Sequence, residues 1–236
     1  TCRAQVKRGA KPARDHLLPH LTALTVCSCK SVTELFSLPA SLEYIDIINC
    51  PILEFIWGKK DTELDSVHAE QPDAFMLMEH GNDLASTSVS VPEQLTYSRN
   101  HPLPCLKRLI IDSCDKLVNL VSLPPSLESL CILECQELRF ISGQLDALAK
   151  LVIACCDKLE SLGFIIGDLS SLEILRLSHC KRLASLPSDF GSCSALRSLS
   201  IEYCPAINTK LIYQHLQQRI NDLEECNLSH ASYRDP

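Results

Sequence analysis

Apolar residues recur along the chain in a fixed pattern of aliphatic and polar positions, LxxLxLxxCxxLxxL. Counted from the first Leu, apolar residues occupy offsets 0, 3, 5, 11 and 14, and Cys occupies offset 8. The pattern starts seven times, at Leu21, Leu42, Leu106, Leu127, Leu148, Leu172 and Leu196. Successive starts are 21 or 24 residues apart, except for one interval of 64 residues. Seven matches in register indicate an internal repeat of seven units.

The LxL centre of each unit predicts a short strand, because alternate side chains of a strand point to the same side. Strands of successive units should pair about 4.8 Å apart into one parallel sheet. The other apolar positions would fill the inside of each coil, where burying one aliphatic side chain contributes roughly 1.5–3 kcal/mol. The repeat length predicts a leucine-rich-repeat solenoid of the α/β horseshoe class. Its curved parallel sheet would form the concave side, loops or 3-10 turns the convex side, and a helix the C-terminal cap.

A cysteine stands at offset 8 in every unit. These residues are Cys29, Cys50, Cys114, Cys135, Cys156, Cys180 and Cys204. Stacked coils would bring neighbouring thiols to about one strand spacing, close to the Cα separation of about 5.5 Å that a disulfide tolerates. Since oxidation would cross-link or strain the column, we expect a reducing compartment. A column of single cysteines lacks the converging CxxC pairs of a structural zinc site, so no metal is predicted.

Composition and charge further restrict the classes of function that the chain can have. The apolar share of 46% is that of a folded protein, and the net charge of −7 argues against a nucleic-acid partner. No apolar run reaches the roughly 18 residues that a membrane span needs. The eight His are scattered, and none of the seven Gly leads into a phosphate-binding loop. We therefore predict neither an enzyme nor a cofactor.

The register of the repeat divides the chain into five parts. We expect residues 1–18 to form an irregular basic extension, 19–56 to hold two repeats, 57–103 to form an acidic and flexible insertion, 104–210 to hold five repeats, and 211–236 to form a capping helix and tail. The helix is predicted from Thr209 to Glu225 because Ile212, Leu216, Ile220 and Leu223 lie at helical spacing. Thr209 is its candidate N-cap.

The repeat with its Ser-Leu-Pro turns at 37–39, 122–124 and 185–187 resembles the leucine-rich-repeat region of plant intracellular immune receptors of the nucleotide-binding type. The segment from Tyr213 to His230 resembles the C-terminal ends of such receptors in grasses. The resemblance covers about residues 19–230. It implies a cytoplasmic or nuclear sensor that binds a pathogen effector, a host protein or the receptor's own nucleotide-binding domain. Because the signalling domains of such receptors are not in this sequence, the chain would be the sensing part of a larger receptor or a truncated relative.

Side chains at offsets 4, 6 and 7 should point outward from the concave sheet. The candidate protein-binding residues are Asp46, Ile48, Ile110, Asp112, Cys131, Leu133, Glu134, Val152, Ala154, Arg176, His179, Glu202 and Tyr203. In units three to five they form an apolar cluster with a polar rim, which is typical of a protein contact. Two alternatives remain open: these are merely strand-forming residues, or they lie under another domain of the same receptor.

Two other classes of repeat protein are alternatives to an immune receptor. The substrate-binding subunit of an F-box-type ubiquitin ligase also carries Cys at this turn, but it would need an F-box and longer repeats with helical return segments. A secreted receptor ectodomain would favour Asn at offset 8 and several glycosylation sequons, whereas this chain has only Asn227-Leu-Ser.

Overall fold

A computed structural model describes residues 3–6, 18, 20–35, 38–56, 103–164, 170–184, 186, 193–216 and 220–229. The strands are β1 Arg3–Val6, β2 Ala23–Cys27, β3 Tyr44–Ile48, β4 Arg108–Asp112, β5 Asn119–Leu123, β6 Ser129–Leu133, β7 Phe140–Gly143, β8 Lys150–Ala154, β9 Ser161–Phe164, β10 Ile174–Ser178, β11 Ser198–Glu202 and β12 Glu225–Ser229. Helix α1 spans Thr209–Leu216, and a 3-10 turn spans Ile220–Asp222. Of the predicted insertion, residues 57–102 lie outside the described residues. No helix among the described residues is long and apolar enough to cross a membrane.

The seven predicted strands lie side by side in one main sheet. Its order is β1-β2-β3-β4-β6-β8-β10-β11-β12, and every pair from β2 onward is parallel. The strands pair without a shift in register, so residues at the same offset stand beside one another, as Leu109, Leu130 and Leu151 do at offset 3. This arrangement confirms the predicted repeat solenoid with a parallel sheet.

The inside of the coils is aliphatic, as the pattern predicts. In units three to five, the residues at offsets 0, 3, 5, 8 and 11 are at most 1% exposed. After each strand the chain turns at offset 8, where the Leu117 N–H donates to the Cys114 carbonyl at 3.2 Å, and the same bond recurs in other units. A second turn precedes the next strand, where the Leu127 N–H donates to the Pro124 carbonyl at 3.1 Å. Units three and four are therefore each closed by two hydrogen-bonded turns around a continuous core.

The return side carries a second parallel sheet, in the order β5-β7-β9. The prediction of loops or 3-10 turns there is wrong for units three to five, because these return segments pair with one another as strands. A register shift in β5 between Leu120 and Leu123 accompanies Ser122, whose φ of 55° lies in the left-handed region. Two glycines allow the close approach of these strands: a Cβ on Gly143 would meet Leu123, and a Cβ on Gly163 would meet the Phe140 ring.

Strand β1 pairs antiparallel with β2 at the N-terminal edge of the main sheet. Sequence reasoning missed this strand, and Arg3–Val6 is therefore an exception to the irregular extension predicted for residues 1–18. The rest of that extension, apart from residue 18, lies outside the described residues.

The C-terminal segment is not the single helix that was predicted. Helix α1 ends at Leu216, and the chain then forms β12, which pairs parallel with β11. The side-chain oxygen of Asn208, not Thr209, accepts the N–H groups of Lys210 at 3.1 Å and Leu211 at 3.4 Å, as an N-cap does. Residues 223, 226 and 228 read Leu-x-x-Cys-x-Leu and repeat offsets 0, 3 and 5, so β12 belongs to an eighth, incomplete unit.

Candidate recognition surface

The open face is the side of the main sheet that carries the outward residues at offsets 2, 4 and 6, together with the bend residue at offset 7. All thirteen predicted residues lie on it. They are Asp46 and Ile48 on β3, Ile110 and Asp112 on β4, Cys131 and Leu133 on β6, Val152 and Ala154 on β8, Arg176 on β10, Glu202 on β11, and the bend residues Glu134, His179 and Tyr203. Their placement agrees with the sequence, while their role in binding stays a prediction.

The centre of the open face is apolar. Ile110, Cys131 and Val152 stand beside one another at offset 4, and Leu133 and Ala154 stand beside one another at offset 6. All five are partly exposed, whereas their inward neighbours are buried. We call these five residues the apolar patch. A rigid sheet holds the patch in place, so its shape is set before any ligand arrives.

A row of basic residues borders the patch on one side. Arg108 and Lys150 stand at offset 2 on β4 and β8, with Ser129 between them on β6. The Arg108 guanidinium lies 5.4 Å from the centre of the Tyr44 ring and 3.4 Å from an Asp46 carboxylate oxygen. The binding residues predicted from the sequence did not include offset 2, although side chains at offsets 2, 4 and 6 of a strand point to the same side.

Acidic residues border the patch on the other side. Asp112 stands at offset 6 of β4, and Glu134 follows β6 at offset 7. The Ser113 hydroxyl donates to Asp112 at 2.9 Å and reaches Glu134 at 3.4 Å. Among the described residues, neither carboxylate has a cationic partner. The patch therefore lies between a basic and an acidic border.

The bend at offset 7 has the same backbone conformation in all seven units. Its φ lies between 51° and 55°, in the left-handed region, and none of the seven residues is glycine. The Glu134 N–H donates to the Ala154 carbonyl at 3.0 Å, and equivalent bonds link most neighbouring units. These bonds continue the ladder of the sheet through the bend. At one end of this row the rings of His179 and Tyr203 stack with their centres 4.5 Å apart.

The C-terminal part of the open face is tied together by polar contacts. A Glu225 carboxylate oxygen accepts from Arg176 at 2.8 Å and from the Ser198 hydroxyl at 2.7 Å. A Glu202 oxygen accepts from Ser200 at 2.7 Å and from Asn227 at 2.9 Å. The predicted residues Arg176 and Glu202 therefore already have partners within the sheet and help to hold β12.

Because it accepts these bonds from Ser198 and Arg176, Glu225 has a pKa below its ordinary value of 4.5. A lowered carboxyl pKa stabilises the fold at a pH above the ordinary value, and this contribution is lost as the pH falls through the lowered pKa. We expect Glu225→Gln to lower the melting temperature at neutral pH, and the gap to wild type to close in acid. The measurement is thermal unfolding against pH. The neighbouring Glu224→Gln is the control, because the Glu224 side chain is 72% exposed and makes only a long ion pair with Arg197, at 3.8 Å. A gap between Glu225→Gln and wild type that does not change with pH would contradict the assignment.

The cysteine column lies inside the coils, directly behind the bends. Each of its seven thiols lies 3.3–3.6 Å from the backbone carbonyl two residues earlier. Burial raises the pKa of Cys114 to about 12. A hydrogen bond with Cys135, together with burial, raises the pKa of Cys156. No disulfide joins the described cysteines. The column is thus a buried row of weak hydrogen-bond donors, in which Cys114 and Cys156 are poor nucleophiles, whereas a hydrogen bond from Cys180 lowers the pKa of Cys204 at the C-terminal end of the row.

Alkylation should separate this column from the surface thiols. Iodoacetamide reacts with the thiolate, and a shift of the pKa from 9.0 to about 12 lowers the thiolate fraction of Cys114 about a thousand-fold. We expect the exposed Cys105 to be labelled rapidly in the folded protein, and Cys114 only after unfolding in urea. Peptide mass spectrometry reports both rates. Equal labelling of the two residues in the folded protein would show that the column is open to solvent.

The described residues contain no group of three or more His, Cys, Asp or Glu side chains arranged to hold a metal ion. No protein-family model, curated protein or solved structure matches the chain. The open face and the resemblance in the sequence are therefore the two observations that bear on function.

Proposed function

We propose that the open face recognises another protein through the apolar patch. The observation that carries this proposal is the group of five partly exposed apolar side chains on a rigid sheet, bordered by charge on both sides. Protein contacts have this composition, with an apolar centre that excludes water and a polar edge. The interior of the coils is already filled by other residues, so the patch is not needed to close the core.

The resemblance in the sequence supports a finer proposal. The chain is the sensing domain of a plant intracellular immune receptor of the nucleotide-binding type, acting in the cytoplasm or the nucleus. Its partner is a pathogen effector, a host protein or the receptor's own nucleotide-binding domain. The Cys at every offset 8 and the segment from Tyr213 to His230 carry this part of the proposal.

Two matched double variants test the role of the patch. Leu133→Asp with Val152→Asp, the patch variant, places two charges among apolar side chains that face outward. Val118→Asp with Val121→Asp makes the same change on the return side, where these residues are 39% and 42% exposed. Because both pairs are exposed, both variants should keep nearly the same thermal unfolding as the wild type.

A binding protein is first recovered with the wild-type chain from plant cytosol and purified, and its dissociation constant is then measured by calorimetry. We expect the patch variant to bind about a hundred-fold more weakly, since the central apolar residues of an interface carry most of its energy. The return-side variant should bind like wild type. Equal binding by wild type and patch variant would refute the proposed surface. A patch variant that no longer folds would show that these residues belong to the core.

A further inference from the structure

We infer that the open face takes an amphipathic α-helix of its partner, lying along the stack of coils and across strands β4, β6 and β8. The inference rests on the proposed function and names the form of the ligand. It follows from the size of the apolar patch, from the spacing of its residues and from the charges on its two borders.

The width of the site fits a helix. The basic residues stand at offset 2 and the acidic ones at offsets 6 and 7, so the borders are at least four residues apart along a strand. At about 3.3 Å per residue this is about 13 Å, compared with a diameter of about 10–12 Å for a helix with its side chains. The backbone of an extended segment is less than half as wide as the distance between the two borders. Such a segment would leave one border without contact.

The spacing of the apolar residues also fits a helix. Ile110, Cys131 and Val152 follow one another across three strands at about 4.8 Å. Along a helix, one apolar residue per turn recurs about every 5.4 Å, so successive turns can contact successive strands. In an extended chain, side chains on one face recur about every 6.7 Å, and the match is lost within three strands.

The two borders determine the charges of the helix. Lys150 has no ion pair with a described residue, and Arg108 offers its remaining donors beside Asp46. Asp112 and Glu134 have no cationic partner among the described residues. A complementary helix carries acidic residues on the side that faces Arg108 and Lys150, and basic residues on the side that faces Asp112 and Glu134. Such complementarity fixes the orientation of a bound ligand.

A stapled peptide serves as the probe. It has a Leu stripe at helical spacing, a row of Glu on one side of the stripe and a row of Lys on the other. Its matched control has the same sequence except that the staple is omitted and a central residue is replaced by Pro, which breaks the helix. Fluorescence anisotropy with the wild-type chain should show binding of the stapled peptide and at least about ten-fold weaker binding of the Pro peptide.

Charge variants of the protein then test the borders. Lys150→Glu should weaken binding of the stapled peptide about five-fold, and replacing only the Glu of the peptide that faces residue 150 by Lys should restore it. Lys116→Glu is the control, because Lys116 is exposed at offset 10, away from the open face. The inference is refuted if the stapled peptide does not bind, if the Pro peptide binds equally well, or if Lys150→Glu behaves like Lys116→Glu. The binding measurement with the patch variant and the purified partner does not depend on these outcomes. The inference about a helix can therefore fail while the proposed function stands.

Discussion

Leu130→Asp is expected to abolish folding of the repeat region. Leu130 is fully buried at offset 3 of β6, between Leu109 on one neighbouring strand and Leu151 on the other. A carboxylate at this position would lie in an aliphatic interior without a cation or a hydrogen-bond donor to match it. Burying such a charge costs more than about 4 kcal/mol, a large part of the stability of most domains. Far-UV circular dichroism and urea unfolding measure the loss.

Leu133→Asp is the matched control for this prediction. It makes the same substitution three residues along the same strand, but on the open face, where Leu133 is partly exposed. We expect its free energy of unfolding to change by less than about 1 kcal/mol. If Leu130→Asp and Leu133→Asp were equally destabilising, the assignment of inward and outward positions on β6 would be wrong.

Gly143→Ala is expected to destabilise the return sheet by about 1–3 kcal/mol. A Cβ at this position would lie 2.5 Å from the Leu123 Cβ and 2.7 Å from the backbone N and O of Leu123. Since two of these three atoms belong to the backbone of the neighbouring strand, no change of rotamer can relieve the contact. Strands β5 and β7 must move apart, and the buried Leu120 and Ile141 would then lose part of their packing. Urea unfolding gives the change in free energy.

Gly163→Ala is the comparison, since the three atoms nearest to its new Cβ would all belong to the Phe140 ring. The ring is the far end of a flexible side chain that is 37% exposed, so it can swing toward solvent. We expect a smaller loss than for Gly143→Ala, and a still smaller one when Phe140→Ala is added. A loss in Gly163→Ala equal to that in Gly143→Ala would show that the return sheet resists both changes for another reason.

The main sheet could be predicted because its buried positions form a regular pattern of aliphatic and Cys residues in the sequence. Each inward position repeats the same aliphatic or Cys residue, and a shift of one residue along a strand would expose all of them. The pairing of Leu109 with Leu130 and Leu151 follows from this rule alone. The outward positions at offsets 4 and 6 follow from the same alternation, which explains why the apolar patch was found.

The return strands have a weaker sequence signal. In β5 only Leu120 and Leu123 are buried, and the register shift between them breaks the period of two that marks a strand. At the C-terminus the spacing of Ile212, Leu216, Ile220 and Leu223 imitates a helix, although Leu223 begins the eighth unit. The bend at offset 7 was missed as a left-handed position because residues such as Glu134 and His179 give none of the signal that a glycine would.

The sequence predicted the acidic border of the candidate site but not its basic border. Asp112 and Glu134 were selected because they flank apolar residues, but Arg108 and Lys150 were not, since offset 2 was not considered as part of the face. The polar contacts of Glu225 with Arg176 depend on β12, which lies where the sequence predicts the end of the capping helix and the tail. Interactions between residues 49 positions apart cannot be read from the spacing within one repeat.

The left-handed bends also bear on how such a protein can evolve. Ser, Asn, Glu, Cys, His and Tyr all adopt the same conformation there, each at a cost of about 1–2 kcal/mol or less relative to glycine. In six of the seven bends the backbone N–H donates to a carbonyl of the neighbouring coil, a bond that does not depend on the side chain. A mutation at a bend can therefore change a side chain of the proposed binding face while the coil stays folded. If that face binds a partner as proposed, its specificity can change one residue at a time without a change in the scaffold.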